Sequence, residues 1–219
     1  MSKIIVATAD THFKFAPSLI PQGDIFIHAG DLMYTGYHDE WQDRLDSFAA
    51  LDVGRNMPFE EKIYVPGNHD LHVEHYTGPA NQELRAVGVK MLGTHPKHMT
   101  KKLSNGMVVL GLPFVVGLPG WAFNRMEEGL DSLVYSLPKA DIVVSHSPPR
   151  IGDMDGSGKW GVEAWALYQT IHKPEIWING HIHERYGVHC HNGTTFYNVA
   201  MCDRKYEQVQ PAHIIELDA

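Results

Sequence analysis

The chain has 219 residues, 43 % of them hydrophobic, and a formal net charge of −8. That is enough apolar material for one ordinary α/β domain with its own core. No run approaches the roughly 18 apolar residues of a membrane span, and no block of Lys and Arg offers the footprint that long DNA or RNA needs.

The elements follow in chain order. "MSKIIVATADTH" carries a first strand at residues 4–6, and its early aspartate is foreign to a signal peptide, so the expected location is the cytoplasm. A second strand at 25–27 runs into "HAGD". In "DEWQDRLDSFAALD" the residues Trp41, Leu45, Phe48 and Asp52 step by three or four, which predicts a helix with Asp39 as its cap. A strand at 63–65 precedes "PGNHDLHVEHY", and another is expected at 108–110. The densest basic patch, Lys97, His98, Lys101 and Lys102, lies between them and reads as a solvated loop. Met126, Leu130, Leu133, Val134 and Leu137 form a second helical stripe stopped by Pro138, before a strand at 142–144. Ala164, Leu167, Tyr168 and Ile171 form a third, stopped by Pro174, before a strand at 176–178. Strands at 194–199 and 214–217 follow with no clear helix between them, so mixed sheets are expected. With no repeat, low-complexity tract or linker, residues 1–219 read as one domain. Cys190 and Cys202 are too few for a disulfide framework and read as reduced thiols.

Histidine is the unusual entry, with 15 residues against 26 carboxylates. Its placement is more telling than its number. Five of the six early strands run straight into ligand-type residues: "ADTH", "HAGD", "PGNHD", "SHSPP" and "NGHIH". Ligand sites in α/β sheets gather beyond the carboxyl ends of strands, so these five segments point to one shared site. Asp10 and His12 are two apart and would share a face of an extended segment. Gly30 lets the backbone bend before Asp31, and Asn68 follows Gly67. His146 stands at a strand end, and His181 and His183 are again two apart. Taken singly, Asp10 or Asp31 is a turn or cap residue, and His146 a hydrogen-bonded core histidine. Together the seven are too many for one tetrahedral ion and suit two ions sharing a carboxylate. Mixed imidazole and carboxylate donors favour Mn, with Fe, Zn or Ni as alternatives, over Ca or Mg.

The ordered set "DTH…GD…GNHD…H…GHIH" resembles the calcineurin-like metallophosphoesterases, over Asp10 to His183. "IHAGD", "GWAFNR", "SHSPP", "GHIHERYG" and "GTTFYNVAMC" are similar to the MPPED (239FB-type) and class III cyclic nucleotide phosphodiesterase branch. The resemblance implies a four-layer αββα sandwich, two mixed sheets flanked by helices. It implies that Asp10, His12 and His183 hold a first metal, that Asp31 bridges, and that Asn68, His146 and His181 hold a second. A metal-bridging hydroxide would then attack phosphorus, and His69 would protonate the leaving oxygen. Asp70 is a candidate partner orienting His69, while His72 and His75 are bystanders, as are His28, His172, His189, His191 and His213. Trp121 and Phe123 are candidates for stacking on a nucleobase, with Arg125 near a phosphate. The expected reaction is hydrolysis of a 2′,3′- or 3′,5′-cyclic nucleotide or another small phosphodiester, with no long nucleic acid and no membrane as partner. The rivals are a phosphomonoesterase or protein phosphatase, and a metal-free binding scaffold.

Overall fold

Strand side chains alternate between two faces, so apolar strands need cover on both. The computed structural model, which describes residues 2–53, 58–155 and 160–217, supplies that cover with four layers. The strands are β1 (Lys3–Thr8), β2 (Ile25–His28), β3 (Glu61–Tyr64), β4 (Val89–Met91), β5 (Thr100–Lys102), β6 (Val108–Leu112), β7 (Val115–Val116), β8 (Asn124–Arg125), β9 (Ile142–Ser145), β10 (Ile176–Asn179), β11 (Gly187–His191), β12 (Thr194–Asn198) and β13 (His213–Leu217). The α-helices are α1 (His38–Ala49), α2 (Leu71–His75), α3 (Thr77–Ala86), α4 (Glu127–Val134) and α5 (Glu163–His172).

One sheet runs β13-β1-β2-β3-β4, parallel except for β13. The other runs β11-β12-β10-β9-β6-β5, parallel in its middle and antiparallel at both edges. Ile5, Ala7, Ile25 and Ile27 face the second sheet and meet Val109, Ile142, Val144 and Ile178 there. The alternate residues Val6, Phe26 and Tyr64 face outward to Trp41, Phe48 and Leu84 of α1 and α3. Beyond the second sheet, Val143, Trp177 and Phe196 pack on Leu130 of α4 and on Trp165 and Tyr168 of α5. Each fully buried side chain of this size contributes about 1.5–3 kcal/mol. No helix among the described residues is long and apolar enough to cross a membrane.

Several expectations change. Lys101 and Lys102 lie on the edge strand β5 rather than in a solvated loop, and Met126 stands exposed just ahead of α4 rather than in its buried stripe. Asp39 is not the cap of α1: Tyr37 occupies that position, and Asp39 lies in the first turn. Glu40 reaches back instead, its carboxylate accepting from the N–H groups of Tyr34 and Thr35 at 2.8 and 2.9 Å. In α5 the buried face centres on Trp165 and Tyr168 and takes in Gln169, leaving Ile171 exposed. Gln169 tolerates burial because its amide donates to Thr194 Oγ1 at 3.0 Å. The helices α2 and α3 fall where the apolar spacing predicted nothing, α2 being only five residues long.

Candidate metal centre

The carboxyl ends of the two sheets meet along one seam. Ala9, just past β1, pairs with Ala200, and Asp10 Oδ2 accepts the N–H of His181 at 2.8 Å. Asp10 and His12 do not lie on an extended segment as their spacing suggested. Both have left-handed backbone, φ 50° and 48°, and a short 3₁₀ turn begins at His12. Asp31 and His181 share that conformation, at 55° and 69°. Such backbone costs energy in non-glycine residues and is typical of functional sites. The glycines of the motifs serve close approach. A Cβ on Gly67 would lie 2.4 Å from Asp31 Oδ1, and one on Gly180 would lie 2.2 Å from Asp10 Oδ2.

The structure brings all seven expected ligands together in two clusters. In the first, one ligand atom each from Asp10, His12 and His183 lie within 4.8 Å of one another. In the second, Asp31, His146 and His181 do the same, and Asn68 Oδ1 lies 3.0 Å from His146 Nε2. Atoms held about 2.1 Å from one ion are at most about 4.2 Å apart, so each cluster needs only a small adjustment to close on an ion. Asp31 stands between them. Its Oδ1 is 3.3 Å from His146 Nε2, and it also groups with His12 and His69.

The residues fit divalent metal. His12, His146 and His183 each donate Nδ1–H to a main-chain oxygen, of Met33, Ala29 and Asp203, at 3.0, 2.9 and 2.8 Å. That fixes the tautomer and aims Nε2 inward, as in metal-ligating histidines. Asp10 Oδ1 and His12 Nε2 are buried and make no hydrogen bond among the described residues. Without metal, protons take its place. Burial opposes charge on His146, but Asp31 outweighs it and raises the pKa to about 9. His183, likewise opposed by burial, rises to about 9 against Asp10. Burial pushes His12 and His181 down to about 4. Asp31 is held well below the usual carboxylate range, its burial overcome by His146 and His69.

His69 lies beside these clusters. Its N–H donates to Asp31 Oδ1 at 2.8 Å, its Nδ1–H donates to the Tyr34 oxygen at 2.5 Å, and its Nε2 is 3.9 Å from Asp31 Oδ2. Asp70 does not orient it. The Asp70 carboxylate accepts instead from the N–H groups of Asp31, Leu32, Met33 and Gly67, at 2.7–3.1 Å. It therefore clamps the Asp31 loop to the Gly67 loop. Burial and then Asp31 raise its pKa to about 6.

Of Trp121, Phe123 and Arg125, expected near the substrate, the structure places Trp121 at the cleft. Trp121 is 40 % exposed, 4.3 Å from the His69 ring, and lines the cleft above the clusters. Phe123 is buried in the core beside α1 and α3. Arg125 pairs with Glu74 at 3.1 Å, lies over the Phe114 ring, and borders a separate cavity with His95. His72 packs between His38 and Trp41, His75 is exposed, and buried His28 bonds Thr11 Oγ1 at 2.8 Å. Cys190 and Cys202 are not bonded to each other. Trp160, Tyr206, Glu184 and Arg204, absent from the expectation, also line the cleft. The only local signal for Trp160 and Tyr206 is an aromatic residue among glycines or charges, which is common on surfaces, and Glu184 and Arg204 offer only their charge.

The family model described as calcineurin-like phosphoesterase matches residues 4–185. The chain is 29 % identical to human metallophosphoesterase domain-containing protein 1 over 97 % of its own length and 70 % of the relative's. It is 30 % identical to UPF0046 protein C25E10.12 of Caenorhabditis elegans, over 97 % and 80 %. The solved structure of TT1561 from Thermus thermophilus superimposes with a TM-score of 0.56 at 16 % identity, covering 90 % and 89 %, and shares the fold. With two histidine–carboxylate clusters on the seam between two such sheets, the chain belongs to the calcineurin-like phosphoesterases, hydrolases that act on phosphoesters with two metal ions.

Proposed function

We propose that the chain hydrolyses cyclic nucleotides or similar small phosphodiesters, with His69 as the general acid. The observation that carries this reading is the cleft. It has a volume of about 440 Å³, a floor that includes Asp31, Asn68, His69 and His183, and aromatic walls from Trp121, Trp160 and Tyr206. That is the scale of a small-molecule site, roughly 300–1,000 Å³. Aromatic faces beside a polar floor suit a nucleobase attached to a phosphodiester.

Asp10, His12 and His183 would hold one ion, Asn68, His146 and His181 the other, and Asp31 both. When bound, the ions, with manganese favoured by the mixed donor set, supply an acidified water and neutralise charge on the phosphoryl oxygens. The protein's own part is proton transfer and placement. As an imidazolium, His69 donates Nδ1–H to Tyr34 and Nε2–H to the leaving oxygen. The neutral ring left behind keeps the same Tyr34 bond, so no reorientation follows transfer. Asp31, through the His69 N–H, fixes that ring relative to the floor, and Trp121 covers it. The proposed partner is the small substrate alone.

The test compares 2′,3′- and 3′,5′-cyclic nucleotides with a nitrophenyl diester and monoester, on one preparation, across several divalent metals. Turnover of the diesters above the monoester is expected. Preference for the monoester hands the site to a phosphomonoesterase, and a purified protein that takes up no metal and turns over nothing is a binding scaffold.

A further inference from the structure

The family match ends at residue 185, yet one member of the first cluster takes its orientation from beyond that point. His183 donates Nδ1–H to the main-chain oxygen of Asp203 at 2.8 Å, with its Nε2 3.3 Å from Asp10 Oδ1. Asp203 opens a loop, 203–207, that closes on itself. Its N–H donates to the Glu207 oxygen at 2.8 Å, and its Oδ1 accepts the N–H groups of Lys205 and Glu207 at 2.8 and 2.9 Å. Tyr206 is thereby held at φ 61°, a conformation tyrosine rarely takes. Its ring stands edge-on to His12 at 4.7 Å and to His183 at 5.5 Å. The loop is tied back near the same cluster: Met201 N–H donates to the Ala9 oxygen at 2.9 Å, and Glu207 pairs with Lys14.

We infer that the 203–207 loop is a positioning element for the first metal cluster, resting on the reading of Asp10, His12 and His183 as ligands. The Asp203 side chain keeps the loop in the shape that sets its own carbonyl on His183 and the Tyr206 ring against both imidazoles. The loop acts through those rings, holding tautomer and rotamer, the kind of support whose loss typically costs 10–100-fold in metal affinity. In the second cluster His146 takes its orientation from Ala29 and Asp31, outside this loop.

The experiment equilibrates the full chain against a buffered Mn²⁺ series and counts ions per chain. In Asp203→Ala one ion is expected to bind as in the wild type and the other about 10–100-fold more weakly. Asp203→Asn, which keeps an Oδ1 acceptor, should restore both. Tyr206→Gly relieves the backbone but removes the ring, so it should weaken the same ion by less. In a double-mutant cycle, adding Asp203→Ala to Asp10→Ala should change nothing further, whereas adding it to His146→Ala should weaken the one ion left. Unaltered uptake of both ions by Asp203→Ala, or equal weakening of both, overturns the loop's role and leaves the metal reading standing. A wild-type chain that takes up no ion overturns the metal reading and this inference with it. Should Asp203→Ala not fold, Tyr206→Gly decides the matter, and wild-type affinity there overturns the proposal.

Discussion

The two clusters share donor chemistry but not support. The second draws on the carboxyl ends of β2, β3, β9 and β10, and His146 is fully buried. The first draws on one strand end, a 3₁₀ turn and a turn after β10, and its His183 side chain is 11 % exposed. The difference lies in one ligand of each: His146 directly follows β9 and is buried, whereas His183 rests on the 203–207 loop, which can give. Cooperative sheet structure opens rarely, and short loops open often, so the first ion should exchange faster.

Asp31 is proposed to serve both halves, so replacing it should produce the largest effect. Asp31→Ala should lose both ions and cut turnover beyond the roughly 10⁴-fold that a lost general acid can cost. Asp10→Ala and His146→Ala should each lose one ion. Ions per chain and rate, measured on all three, check this, and a fully metallated, active Asp31→Ala would contradict the bridge.

His69→Ala should come next. The main-chain N–H that Asp31 accepts survives the change, so metal content should hold. Turnover should fall about 10²–10⁴-fold on a cyclic nucleotide, whose alkoxide leaves poorly, and far less on a nitrophenyl diester. Loss of an ion instead would assign His69 to the His12–Asp31–His69 group as a ligand.

pH should then show what the halves have in common. In the chelated chain His146 and His183, each with a pKa of about 9, are charged at pH 7. Each must shed its proton to ligate. Metal uptake should release about one proton per cluster, and affinity should rise up to about tenfold per pH unit towards pH 9. The sign for stability is opposite. A folded pKa above the unfolded value of about 6.5 stabilises the metal-free fold fully below 6.5, and that stability is lost as pH rises through 9. His12, His28 and His181, lowered by burial to about 4, 3 and 4, destabilise it below 6.5. For His28 alone that is about 2 kcal/mol at pH 5. Melting of the chelated chain should be highest near pH 6.5, and a flat profile from 5 to 9 would dismiss these protonation states.

Arg125→Ala should do least, because Arg125 touches neither cluster. Its exposed pair with Glu74 predicts a stability change within about 0.5 kcal/mol and an unchanged KM for cyclic nucleotides. A large rise in KM would return it to the substrate site.

The ligands were legible because each follows a strand that periodicity identifies, and strand ends of parallel sheets converge. Direction was not legible. Asp70 neighbours His69 in sequence, but its side chain turns back to the N–H groups of residues 31–33. Residues 121, 123 and 125 would share one face of an extended strand, but Phe123 at φ 55° breaks the alternation and enters the core. Asp203 lies 20 residues beyond the histidine it serves, and the link is a main-chain oxygen that no side-chain pattern reveals.

The left-handed backbone of Asp10, His12, Asp31 and His181 bears on how such a chain can change over generations. At each of these positions glycine is the least strained residue, where any other costs of order 1–3 kcal/mol. A ligand-to-glycine replacement therefore deletes a donor and relaxes the chain in one step. Chemistry and fold become separable inheritances. A descendant that exchanged Asp31 or His181 for glycine would keep its sheets and its aromatic cleft and would pass on that surface without a donor of the candidate metal centre.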